Sequence, residues 1–173
     1  MKNILLWLIL SVATLTVAAQ MAPVPGDFSN PAISVGVVVE DIQKSIDFYT
    51  KIIGMTKTGE FSVSKEQAKK FGLTDKYQLD VTILKLEDSE RANEWKLMSL
   101  GTKARHPKQK YMSDDTGMQY ITIFVNHLAP IMERVQKNKV KILSESPSSL
   151  EGDRKFILIQ DPDGIFIELI GPM

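Results

Sequence analysis

Cysteine is absent from the 173 residues, histidine occurs twice, and the formal charges cancel, with 21 basic and 21 acidic side chains. Without cysteine there is no disulfide, and no lipid can be attached to a cysteine near the N-terminus. A chain of this length needs neither, because one domain of about 150 residues buries roughly 70% of its unfolded surface. Lack of cysteine is compatible with any export compartment. The balanced charge leaves no basic stripe, which argues against nucleic acid as a partner. "KARHPKQK", residues 103–110, is a local basic cluster in an apparent linker and reads as a solvated loop.

Long apolar runs are also scarce. One opens the chain, in "MKNILLWLILSVATLTVAA". A single positive charge at Lys2, an apolar stretch from Ile4 to Val17 and small residues at Ala18 and Ala19 make residues 1–19 a signal peptide, cut before Gln20. An uncleaved anchor is the alternative, but the run is short against the roughly 20 residues a membrane span needs. Residues 20–30, "QMAPVPGDFSN", read as a flexible leader. The expected location is secreted or periplasmic, with no membrane attachment once the signal is removed.

The remainder, 31–173, reads as one domain made of two copies of a unit. "SVGVVVEDIQKSIDFY" (34–49) and "YITIFVNHLAPIMERV" (120–135) each run from a β-branched strand through a polar pair into an amphipathic helix. Ile42, Ile46 and Tyr49 match Leu128, Met132 and Val135 at a constant offset of 86, and each set lies on one helix face. Asp41 is an N-cap candidate, as are Asn126 and His127. Pro130 falls in a first turn, and Gly54 and Asn138 are candidate left-handed ends.

Strands are predicted at 56–62, 78–86 and 95–100 in the first copy, and at 141–144, 156–160 and 165–170 in the second. An insert at 64–77 reads as a short helix closed by Gly72. The last two strands flank Asp161-Pro162-Asp163-Gly164, strong turn chemistry. The unit is β-α-β-β-β, repeated. The fold class is α+β: two paired modules (about 31–102 and 117–173, linker about 103–116) forming a sheet-lined cup with helices outside.

These features resemble the vicinal oxygen chelate superfamily, which includes glyoxalase, bleomycin-resistance and dioxygenase types. The resemblance rests on "VGVVVEDIQKSIDFYTKIIGM" and "IQDPDGIFIELIGP", in that order, with the second strand–helix copy between them. It implies a divalent metal in the cup, held from the first and last strands of each module and acting as Lewis acid. The four corresponding positions are Ser34, Lys96, Tyr120 and Glu168. Glu168 is the one that matches. Lys presents an ammonium without a lone pair, Ser is a poor ligand and Tyr an uncommon one. His106, in the linker, and His127, at a helix start, read as surface or capping residues. No metal ligand set and no cofactor are expected; a divalent metal is the alternative the resemblance implies.

Strand alternation places Ser34, Gly36 and Val38 in the cup with Lys96, Met98, Tyr120, Thr122, Phe124, Phe166, Glu168 and Ile170. Glu94 is expected to face away from Lys96, and Lys96 is expected to pair with Glu168. The set Ser34, Lys96, Met98, Tyr120, Thr122, Phe124, Phe166 and Glu168 suits a small-molecule site. A cup filled by Met98, Phe124 and Phe166 as a second core is the alternative.

Three functions follow. The first is an exported small-molecule-binding protein with a degenerate metal site. The second is a glyoxalase-type lyase or isomerase, metal-dependent or with Glu168 as general base and Tyr120 or Lys96 at the oxyanion. The third is an interaction module, and a homodimer is open to all three.

Overall fold

A computed structural model of the chain describes residues 26, 28–102, 107–145 and 147–173. The expected signal segment and His106 lie outside them.

Each module is a four-stranded mixed sheet. The first contains β1 (Ser34–Val38), β2 (Thr56–Val63), β3 (Leu79–Lys85) and β4 (Glu94–Ser99), in the order β1-β4-β3-β2. The second contains β5 (Tyr120–Phe124), β6 (Ser148–Ser149), β7 (Arg154–Gln160) and β8 (Phe166–Pro172), in the order β5-β8-β7-β6. First and last strands run parallel in both, with Gly36 opposite Lys96 and Thr122 opposite Glu168. The repeat is therefore one of register as well as of sequence. Lys96 and Glu168 hold equivalent places.

After β1 the chain turns into α1 (Ile42–Asp47), where Asp41 Oδ1 accepts from Lys44 N at 3.0 Å as the expected N-cap. The helix widens into a π-helical turn, Phe48–Ile53, and closes at Gly54 with φ 100°. The widening brings Phe48, Tyr49, Ile52 and Ile53 all into the core. The matching helix α3 (Ala129–Lys137) starts without a side-chain cap. Neither Asn126 nor His127 caps it; instead the Leu128 N–H donates to Pro172 O at the end of β8. The left-handed residue after α3 is Lys139 at φ 55°, while Asn138 stays at φ −90°.

The helix-covered faces of both sheets share one core. Val35, Val37, Trp95 and Leu97 meet Ile121, Ile123, Ile167 and Leu169, with Tyr49, Leu128, Ile131 and Val135 from the helical segments. Leu128, Ile131 and Val135 alone contribute about 5–8 kcal/mol of gross burial, before chain entropy is subtracted. Arg134 locks the two helical segments together, donating to Ile52 O at 2.7 Å and Ile53 O at 3.3 Å.

Two elements differ from expectation. Residues 141–144 form no strand; they run beside β7, with Leu143 N–H on Leu158 O and the Leu158 N–H on Ser144 Oγ. The insert does form a helix, α2 (Lys65–Lys70), capped by Ser64 and followed by Gly72 at φ 71°. It lies on the other face of the first sheet, where Ala68 packs with Leu79, Val81 and Met98.

Candidate functional site

Ser34, Gly36 and Val38, and in the second module Tyr120, Thr122 and Phe124, stand on the faces turned away from the shared core. Val38, Tyr120 and Phe124 are exposed, Phe124 to 70%. These are the faces on which the sequence set its candidate residues.

Their polar groups fall into two clusters, one per module. In the first, Glu94 is the hub. Its Oε2 accepts from Ser34 Oγ at 2.6 Å and lies 2.9 Å from Lys96 Nζ, while Lys85 Nζ stands 3.8 Å from Oε1. The Ser34 hydrogen bond, then the Lys96 ammonium, hold the Glu94 carboxyl below its usual pKa. Positions 94 and 96 share strand parity, so Glu94 and Lys96 face the same way, contrary to the expectation that Glu94 turns away. Register places Ser34 directly opposite Glu94, which is why the hydroxyl reaches it. The signal was present in the sequence as an acidic residue two positions from Lys96.

In the second cluster Glu168 accepts a 2.5 Å hydrogen bond from Thr122 Oγ1, its direct neighbour across the parallel pair. Lys96 is therefore the partner of Glu94, and no ion pair joins it to Glu168 among the described residues. The expected Lys96–Glu168 pair is corrected by these contacts. Each carboxylate found a donor inside its own sheet.

The remaining candidates divide by place. Met98 packs with Ala68 and Val81 under α2, so one end of the first sheet's open face is roofed. Phe166 is 1% exposed and belongs to the interior rather than to an open surface. Near it, Gln109 donates to Gln119 and Gln160 donates to Gln109 O, tying the intermodule segment to the second sheet. A filled face thus describes the Met98 and Phe166 positions, and an open one describes Tyr120 and Phe124.

The turn that closes the chain's last hairpin carries buried polar chemistry. Asp161 Oδ1 accepts from the Asp163 and Ile165 N–H groups, folding the turn on itself. Its Oδ2 accepts from the Tyr49 hydroxyl at 2.8 Å. Burial raises the Asp161 carboxyl above its ordinary pKa, and burial with the Asp161 charge raises the Tyr49 phenol. Asp163 reaches back to the first module, accepting from Glu40 N and Ser45 Oγ. These are structural carboxylates that join the modules.

Between the sheets lies a mostly apolar cavity of about 230 Å³. Val35, Leu84 and Trp95 of the first module line it with Ile121 and Ile123 of the second, and Lys85, Glu94 and Thr122 join them. Sequence reasoning missed it, because it is made by the approach of two modules and not by one strand's alternation.

Comparison with known proteins agrees with this architecture. A glyoxalase family protein from Bacillus cereus superposes with a TM-score of 0.71 at 18% identity, covering 87% of this chain and 98% of the other. Glyoxalase I from Leishmania major, described as trypanothione-dependent, gives 0.59 at 21% identity over 83% of this chain and 87% of that one. Maize glyoxalase I gives 0.62 at 19% identity, with 82% of this chain covering 46% of the plant protein. At such identities the likeness is one of fold. The family model of the Glyoxalase/Bleomycin resistance protein/Dioxygenase superfamily matches residues 33–169, most of the chain, and the protein belongs to that superfamily.

Proposed function

We propose that this protein is an exported small-molecule-binding member of the superfamily in which the metal site has been lost. The observation that carries the reading is Lys96. It occupies the register place equivalent to Glu168, and its ammonium sits 2.9 Å from Glu94. A cation covalently held at a ligand position offers no lone pair and repels a divalent ion. The rest of the donor set agrees. The Ser34 hydroxyl is spent on Glu94, and Glu168 accepts from Thr122. Among the described residues no three His, Cys, Asp or Glu side chains are grouped to hold a metal ion. The residues present do not fit the metal the family implies.

What remains is a scaffold with an exposed, partly aromatic sheet face, two hydrogen-bonded carboxylate clusters and an apolar cavity at the module seam. That combination supports recognition of a small organic molecule. Export is proposed from residues 1–19 alone, on the signal-peptide pattern.

The test is purification from the exported fraction, followed by metal analysis, intact mass and native mass spectrometry. The expected result is a chain beginning at or near Gln20, well under one equivalent of Zn, Ni, Mn or Fe, and a co-purifying small molecule. Added metal should leave the melting temperature unchanged, since a ligand specific for the native state raises it. A stoichiometric, chelator-sensitive metal would overturn the reading.

A further inference from the structure

We infer that the seam cavity is the binding site of a small uncharged molecule with an apolar body, which enters past Ile33 and Leu86 and lies against Trp95. This rests on the reading of the protein as a small-molecule binder and names the ligand class and its place.

The place follows from strand register. Trp95 lies opposite Val35 on one side and Leu84 on the other, so the three share the core face of the first sheet. Ile121 and Ile123 share the core face of the second. These five side chains, with Met55, wall the cavity from both modules. Lys85, Glu94 and Thr122 also border it, but each is one position from a core-facing residue, so their side chains lie on the opposite faces. There Glu94 meets Ser34, Lys96 and Lys85, and Thr122 donates to Glu168. The charged groups of both modules are thus turned away from the walls. Asn93, the remaining polar neighbour, accepts the Ile33 N–H on its Oδ1 at 2.9 Å.

The class of ligand follows from those walls. An ion placed among them gives up its hydration and meets no counter-charge, so a cation and an anion are both disfavoured. An uncharged aliphatic or aromatic body gains by leaving water. Apolar cavities of about 150 Å³ already admit benzene, so about 230 Å³ suits one ring with a short alkyl chain, on the order of ten heavy atoms. The entry follows from two further side chains. Ile33 and Leu86 border the cavity, yet they are 62% and 55% exposed. A lone exposed aliphatic side chain is ordinary; two that carry a buried apolar wall out to solvent form a mouth an apolar molecule can cover. Trp95 makes the site observable, because it is buried in the wall and is the sole tryptophan after residue 19.

The experiment titrates the mature full chain with n-butylbenzene, 4-phenylbutanoate and 4-phenylbutylamine, read by Trp95 fluorescence and by melting temperature. The expected result is a saturable fluorescence change and a raised melting temperature with n-butylbenzene, and affinity at least tenfold weaker for both charged analogues. Ile121→Phe, which fills the cavity, should abolish the response. Ile33→Ser, at an exposed position of the mouth, should weaken it at least threefold. Leu73→Ser, at an exposed aliphatic residue that does not border the cavity, should leave it unchanged. Each variant is checked for cooperative melting, and if Ile121→Phe fails to fold, Ile33→Ser carries the test. Absence of saturable binding of n-butylbenzene overturns the inference, as does a charged analogue that binds equally well. So does binding that survives Ile33→Ser undiminished, or a dimer of the chain that shields the mouth and excludes the probe. The broader reading fails separately: it falls if native mass spectrometry finds no co-purifying small molecule. If it finds a charged one that Ile33→Ser and Ile121→Phe both retain, binding stands and the assignment to this cavity is overturned.

Discussion

The hydroxyl of Tyr49 donates a 2.8 Å hydrogen bond to Asp161 Oδ2, joining side chains 112 positions apart on opposite modules. Both groups are buried, and Asp161 has already spent its other oxygen on the turn it folds. The Asp-Pro-Asp-Gly turn is therefore a clasp between modules as well as a hairpin loop, with Asp163 holding the start of α1 from the same side. Tyr49→Phe keeps the ring and strands a buried carboxylate oxygen. The expected cost is about 1–3 kcal/mol, the penalty of leaving a buried polar group unpaired. Urea denaturation measures it, and an unchanged midpoint would show the clasp carries nothing.

The same carboxylate sets a pH dependence. Burial raises the folded pKa of Asp161 above its ordinary value of 3.8. The folded state then holds this proton more tightly than the unfolded chain does. By linkage, the contribution of Asp161 to stability is greatest below about pH 4 and is lost as pH rises through the raised value. Other carboxyls, such as Glu94, are lowered and slope the opposite way, so the contribution is read as a difference. Asp161→Asn keeps an acceptor for the turn and removes the titration. Relative to this variant, the unaltered protein should lose stability as pH rises from the ordinary Asp value of 3.8 through the raised one; parallel curves would contradict the buried-charge account.

Lys96 offers a choice between two carboxylates, and a double-mutant cycle decides it. The pair with Glu94 is 2.9 Å long, and both side chains are 27% exposed. At that exposure solvent screens the pair, so Lys96→Met should cost about 1 kcal/mol rather than the several expected of a fully buried ion. Coupling energy should appear between Lys96→Met and Glu94→Gln. Between Lys96→Met and Glu168→Gln the effects should add within about 0.5 kcal/mol. Coupling to Glu168 in place of Glu94 would reverse the assignment.

What the sequence made legible has a common cause, as does what it hid. Strand alternation is local, so it placed Val35 and Val37 in the core and Ser34, Val38, Tyr120 and Phe124 on the other face. The repeat is also written in the chain, and it aligned Lys96 with Glu168 as the register does. Glu94 is within reach of the same reasoning, since residues two apart on a strand share a face, and the expectation that turned it away from Lys96 breaks that alternation. The contacts that stayed hidden are tertiary. Nothing near Tyr49 names Asp161, and nothing in β3 shows that Leu84 lines a cavity with Ile121. The end of α3 is set by contact too, which is how Lys139 rather than Asn138 takes the left-handed conformation.

Two glycines on parallel-paired strands make the final prediction, because they look alike in sequence and differ in what surrounds them. A Cβ on Gly36 would meet the terminal methyl of Met98 at 3.0 Å, the mobile end of a flexible side chain. Met98 can turn aside, so Gly36→Ala should cost about 1 kcal/mol or less. A Cβ on Gly171 would fall 2.3 Å from the carbonyl oxygen of Val125 and 2.7 Å from its Cγ2. That carbonyl belongs to backbone held beside β8, for Val125 N–H donates to Ile170 O at 2.8 Å and Leu128 N–H donates to Pro172 O at 2.7 Å. Relief requires moving the segment that carries β5 into α3, and with it the start of the helix that packs Leu128 in the core. Gly171→Ala should therefore cost about 3 kcal/mol or more, at the upper end of overpacking. Thermal and urea unfolding of the two variants side by side measure the contrast, and equal costs would mean that the crossing of β8 with the β5–α3 segment is looser than these distances describe.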